Sequence, residues 1–142
     1  MRLPLDAEDL GTVDRLSLVA MASVYLVAGV AHFLVPRAFE RIVPPQLPQP
    51  RTLVYVSGAA EVAFGLGVLH PRTRRAAAVG IALLLAAVFP ANVYMAAGDP
   101  GLDLPRPVGE PSEAALWGRL PLQAVLVAWA LRYARADDGD AE

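Results

Sequence analysis

Hydrophobic and polar positions divide this chain into long apolar stretches separated by short, proline-rich polar ones. No Arg, Lys, Asp or Glu falls between Leu16 and Pro36, and none between Ala76 and Gly98, which leaves uncharged runs of 21 and 23 residues. A helix of about 20 apolar residues crosses a hydrocarbon layer about 30 Å thick, so each run is long enough to span. Two further stretches are almost as apolar: Thr52 to Pro71, interrupted by Glu61 and His70, and Ala114 to Leu131, interrupted by Arg119 and Gln123. The pattern predicts an all-α, integral membrane four-helix bundle forming a single domain, with spans at 16–36, 52–71, 76–98 and 114–133.

The connecting segments refine this picture. Phe39, Ile42 and Val43 recur at helical spacing beside Arg37, Glu40 and Arg41, as in a short amphipathic element lying in the membrane interface after the first span. Pro44, Pro45, Pro48 and Pro50 then block helix continuation. The third loop mixes Pro100, Pro105, Pro107 and Pro111 with Asp99, Asp103, Glu110 and Glu113 and reads as a polar loop. The tail at 134–142, with Asp137, Asp138 and Asp140, reads as disordered.

Composition agrees: of 142 residues 56% are hydrophobic and 18% charged, which makes the lipid bilayer the first expected partner. The first apolar run exceeds a signal-peptide core and follows the acidic leader Asp6, Glu8, Asp9 and Asp14, so it reads as a retained span. All the basic residues are arginine. Four spans put Arg2, Arg15, Arg72, Arg74, Arg75, Arg132 and Arg135 on one side and Arg37, Arg41, Arg51 and Arg106 on the other. The arginine-rich side is expected to be cytoplasmic, giving a multi-pass protein of the cell inner membrane with both termini inside. Nothing resembles a nucleic-acid-binding stripe or motif. Small residues at helical spacing, Ser57 and Gly65 about Glu61 and the pair Ala76 and Gly80, predict close helix packing, with self-association also open.

Glu61 and Arg119 stand out because an ionisable group at membrane depth costs roughly 2.5–3.5 kcal/mol on insertion scales and calls for a partner. Depth can be counted at about 1.5 Å per residue. His32 and Asn92 then lie in the outer half of spans one and three, level with Tyr55, Ser57 and Glu61 in span two and Arg119 and Gln123 in span four. The expected ligand-binding cluster is therefore Glu61, Arg119, His32, Asn92, Gln123, Tyr55 and Ser57, with the Glu61–Arg119 pair at its centre. A buried pair that only sets helix register is the competing reading of the same residues.

The chain has no cysteine, which removes thiol exchange and thiolate metal sites, and His32 and His70 are expected near opposite faces, so no metal site is predicted. No catalytic residue is assigned, and no phosphate loop or nucleophile motif is present. Donors of the Arg, His, Asn and Tyr type in an apolar wall suit a lipophile carrying carbonyl or hydroxyl groups, such as a quinone.

His32-Phe33, Pro36, Phe39, Ile42-Val43-Pro44, Leu47-Pro48, Ser57-Gly58 with Glu61, Phe89-Pro90-Ala91-Asn92 and Arg119-Leu120-Pro121-Leu122-Gln123 together resemble the DoxX-like family of small membrane proteins, over about Tyr25 to Arg135. That resemblance implies a four-helix membrane bundle and an association with quinone-linked redox complexes, while identifying no catalytic residue. Two functions stay open. One is a redox-associated subunit that binds a quinone-like ligand in the cluster and works with a redox protein partner; the other is a noncatalytic membrane partner or assembly factor.

Overall fold

The computed structural model describes residues 11–98, 100–104 and 107–135; of the acidic leader only Asp14 is among them, and of the tail expected to be disordered Ala134 instead ends the last helix, Arg135 is described, and the rest lies outside. Every regular element among the described residues is a helix: α1 (Thr12–Leu34), α2 (Pro36–Ile42), α3 (Pro50–Gly67), α4 (Pro71–Gly98) and α5 (Glu113–Ala134). Prolines set the starts of three of them. Pro36, Pro50 and Pro71 each occupy a first-turn position, where a missing N–H costs nothing and the fixed φ already suits a helix. Pro36 also drives Val35 out of the helical region, to φ −128° and ψ 56°, so α1 stops at Leu34 and the short α2 begins anew. The Ser112 hydroxyl starts α5 by accepting the Ala115 N–H at 3.2 Å.

Three helices, α1, α4 and α5, are long and apolar enough to cross a membrane. Their outward faces are aliphatic: Val13 is 75% exposed, Val27 71%, Leu83 66% and Val125 62%. Continuous apolar surface of this kind belongs against lipid rather than water. Helix α3 is less apolar, because it opens on Pro50-Arg51-Thr52 and carries Glu61 midway.

Antiparallel packing joins α1 to α3, α3 to α4 and α4 to α5. The tightest contact is α1 on α3. A Cβ at Gly29 would fall 2.7 Å from the Gly58 carbonyl oxygen, and one at Gly58 would fall 2.6 Å from the His32 Cβ, so only glycine lets the two backbones meet there. The residue of the Ser57-Gly58 pair that packs is thus Gly58, with Gly65 two turns on, and Ser57 is turned aside. The second small pair is corrected likewise: Gly80 receives the Phe64 ring and Ala77 meets Gly67, whereas Ala76 is exposed.

Two apolar clusters fill the interior. One, at the end where α1 begins and α5 finishes, contains Leu18, Met21, Val68, Ile81 and Ala130. Arginines from the first turns of α4 close that end: Arg74 donates to the Val68 and Leu69 carbonyls at 2.9 and 3.2 Å, and Arg75 to the Ala134 carbonyl at 3.2 Å. These satisfy carbonyls where α3 and α5 run out of intrahelical donors. The other cluster, at the opposite end, joins Ala38 of α2 to Met95, Ala96, Leu102 and Leu116. There a two-pronged Arg51–Glu40 ion pair, at 2.9 and 3.0 Å, ties α3 to α2, and its hydrogen bonds hold the Glu40 carboxyl below its ordinary range. In the α4–α5 connection the Glu110 carboxylate accepts the N–H groups of Leu102 and Asp103.

Two outcomes test these contacts. Gly58→Leu forces α1 from α3 and is expected to lower stability in detergent by at least the roughly 1–3 kcal/mol typical of overpacking, read by reversible denaturation. The Leu102 and Asp103 backbone donors, in that order, hold the Glu110 carboxyl below its ordinary 4.5. A depressed carboxyl stabilises the loop fully above that value and loses its effect as pH falls through the lower folded one. The amide shifts of Leu102 and Asp103 should therefore stay flat above pH 4.5 and move together below it, and Glu110→Gln should abolish that titration.

Candidate functional site

Between the two clusters the helices leave a cavity of about 550 Å³, bordered by all five. Helices α1 and α3 contribute one polar wall. Tyr25 and His32 lie seven residues apart on the buried stripe of α1, and Ser57 and Glu61 lie one turn apart on α3. The Gly29–Gly58 contact brings these two stripes together. As a result His32 Nδ1 sits 3.1 Å from Glu61 Oε2, with the side chains only 11% and 16% exposed. That nitrogen is also 2.7 Å from the Ala28 carbonyl oxygen, which can only accept, so Nδ1 carries a hydrogen directed along the helix. One hydrogen cannot serve two acceptors well, and Oε2 is left close to the ring without a properly directed hydrogen bond. The Tyr25 hydroxyl is buried and likewise has no partner among the described residues. Phe39 of α2 stacks on the His32 ring, with centroids 3.8 Å apart, and fixes its plane.

Helices α4 and α5 make the other polar wall. The Asn92 Nδ2 donates to Gln123 Oε1 at 2.5 Å, and Gln123 Nε2 donates to the Leu85 carbonyl at 2.7 Å. Gln123 is only 6% exposed, so this chain satisfies a carboxamide that apolar surroundings would otherwise penalise. Pro90 of α4 and Pro121 of α5 interrupt the backbone ladders beside it, a defect that neighbouring polar side chains make tolerable in apolar helices. Arg119 lies one turn from Gln123, exposed at the cavity edge, and its Nη1 is 3.8 Å from the Met95 sulfur.

Six of the seven residues expected to cluster border this cavity: His32, Ser57, Glu61, Asn92, Arg119 and Gln123. Tyr55 does not. It precedes Ser57 by two residues, about 200° round the helix, and stacks on Phe33 at the exterior with centroids 5.3 Å apart. The expected Glu61–Arg119 pair is also corrected: among the described residues no ion pair within 4.0 Å joins them, and the neighbour of Glu61 is His32. Equal depth in the sequence placed the two charges on one level, but they stand on opposite walls. Tyr25 was missed as a site residue, although it shares the α1 stripe with His32. Among the described residues no three His, Asp or Glu side chains cluster as a metal site requires.

The chain belongs to the family described as Domain of unknown function (DUF8561), whose model matches residues 21–134. Nothing matches it among curated proteins or solved structures. The family finding overturns the resemblance to DoxX-like proteins, since the stretch that carried it falls to a different family. The motifs behind it, proline beside Asn92 and proline near Gln123, are ones that apolar helices reach on general grounds, because a proline frees backbone carbonyls and a nearby carboxamide can serve them. The redox association implied by that resemblance goes with it.

If the Asn92–Gln123–Leu85 chain works as a unit, Gln123→Leu should cost about 1–3 kcal/mol by leaving polar groups unsatisfied. Adding Asn92→Leu should cost less than the separate effects summed, a coupling that a double-mutant cycle in detergent measures directly.

Proposed function

We propose that this DUF8561 protein is a multi-pass protein of the cell inner membrane, a four-helix bundle in which α1, α3, α4 and α5 all cross and both termini are cytoplasmic. We propose further that its cavity holds a lipophilic ligand with a quinone-like head bearing carbonyl or hydroxyl groups. The length of α3, 18 residues or about 27 Å, supports a fourth crossing, since the whole helix is close to the hydrocarbon thickness of about 30 Å and Arg51 falls at its end.

One observation carries the ligand: two buried polar atoms, the Tyr25 hydroxyl and Glu61 Oε2, have no hydrogen-bond partner among the described residues and belong to residues bordering the same cavity. Each such group costs roughly 1–3 kcal/mol when left unmet. A head with one hydroxyl and one carbonyl removes both costs once the two side chains turn toward it, the hydroxyl donating to Glu61 and the carbonyl accepting from Tyr25. Arg119 at the edge of the facing wall offers a further donor for a second oxygen, and leucine, valine and proline side chains supply the apolar remainder. The volume of about 550 Å³ falls within the usual range of small-molecule sites, about 300–1,000 Å³.

Mass spectrometry of the solvent extract of gently purified protein tests the reading. Wild type should carry a lipophile close to one per chain. Glu61→Gln and Arg119→Leu, each with wild-type helix content by circular dichroism, should retain at least tenfold less, equivalent to about 1.4 kcal/mol of binding. An extract empty for wild type as well would sink the ligand site and favour a noncatalytic partner or assembly role.

A further inference from the structure

One flank of the bundle is closed at one end only. Helices α1 and α5 run antiparallel, and at the end where α1 begins they are stitched: Arg132 meets Asp14 at 2.7 Å, and the Trp129 indole N–H donates to the Ser17 hydroxyl at 2.8 Å. These contacts define two facing stripes at helical spacing, Asp14, Ser17, Met21, Val24 and Ala28 on α1, and Arg132, Trp129, Leu126, Leu122 and Arg119 on α5. Met21 and Leu126 continue the seam in the apolar cluster. Beyond them the stripes part, and Val24, Ala28, Leu122 and Arg119 all border the cavity. No Cα of α1 comes within 8 Å of a Cα of α5, whereas the other neighbouring pairs approach far more closely. Val24 is 44% exposed and Leu122 51%, so these side chains face both the cavity and the surroundings.

We infer that the α1–α5 seam is a lateral portal, and that the occupant is a bilayer-resident amphiphile whose head reaches the Tyr25, His32 and Glu61 wall while its tail leaves between Val24 and Leu122 into lipid. This rests on the ligand site proposed above. The cavity suits a drug-sized head, and a tail that anchors the occupant in the bilayer needs an exit from it. At the α2 end Phe39, Ile42 and Leu47 border the cavity too, and those side chains offer a polar head no hydrogen-bonding group. An aliphatic opening on an aliphatic exterior passes a hydrocarbon chain without dehydrating anything polar. Arg119 at the rim adds a cation that draws a head oxygen inward past the apolar edge.

The lack of cysteine lets the seam be clamped cleanly. Val24→Cys with Leu122→Cys, joined by a thiol-reactive crosslinker containing a reducible bond, closes the proposed portal; Asp14→Cys with Arg132→Cys clamps the end that is already shut. Protein in phosphatidylcholine vesicles is mixed with the total lipid extract of the expression host grown in deuterated medium, and exchange of bound light lipophile for heavy is followed by mass spectrometry. Set against the same variant before crosslinking, the portal clamp should slow exchange at least tenfold, reduction should restore the rate, and the terminal clamp should leave it unchanged. Equal exchange rates for the two clamped proteins would overturn the portal and leave the ligand site standing. No lipophile on the unclamped protein would remove the site and the portal together.

Discussion

The arrangement depends on the approach of α1 to α3 at Gly29 and Gly58. With no Cβ at either position the two backbones come close enough to leave only a van der Waals gap, and the residues one turn away are carried into register. His32 then stands beside Glu61, and Tyr25 borders the same space. A carboxyl group in an apolar helix is costly by itself, and its neighbour here comes from another helix rather than from its own. Packing and polar chemistry are thus one constraint: whatever separates the helices also strands the carboxyl group.

The two walls of the cavity differ in kind. On α4 and α5 the carboxamides are satisfied within the chain and end on a backbone carbonyl, which makes that wall internally complete. On α1 and α3 the groups crowd one another without settling, since a single imidazole hydrogen lies between a carbonyl and a carboxyl oxygen. Unsatisfied polarity is therefore concentrated on one side of an apolar space, and the complete side supplies rigidity. The α2 helix links the two by stacking Phe39 on His32 while burying Ala38 against α4 and α5 residues.

Much of this was legible in the chain because prolines and charge-free runs act locally. The amphipathic 36–43 segment reads directly as α2, whereas the spans expected to run to Pro36 and Pro71 stop short of them, because each of those prolines begins the next helix. Depth along each helix could be counted, which gathered six of the cavity's polar residues on one level. Azimuth could not be counted without knowing which helices are neighbours, so Tyr55 was included and Glu61 was given to Arg119. The choice between Ser57 and Gly58 as the packing residue has the same origin: adjacent residues differ by about 100°, and only the partner helix decides which one turns inward. Short motifs misled at the level of kinship because proline and a carboxamide answer a general need of apolar helices.

The arginines at the start of α4 have a mechanical consequence. By holding the last carbonyls of α3 and α5, and with Asp14 bound to Arg132 close by, they gather the ends of four helices into one anchored base. The opposite ends are joined by side chains of a seven-residue helix and a loop. Such a body behaves as a set of rods clamped at one end, whose thermal displacement grows with distance from the clamp. Displacement then grows from the base past the cavity toward the α2 end, while the close approach at Gly29 and Gly58 keeps the register that α1 and α3 share.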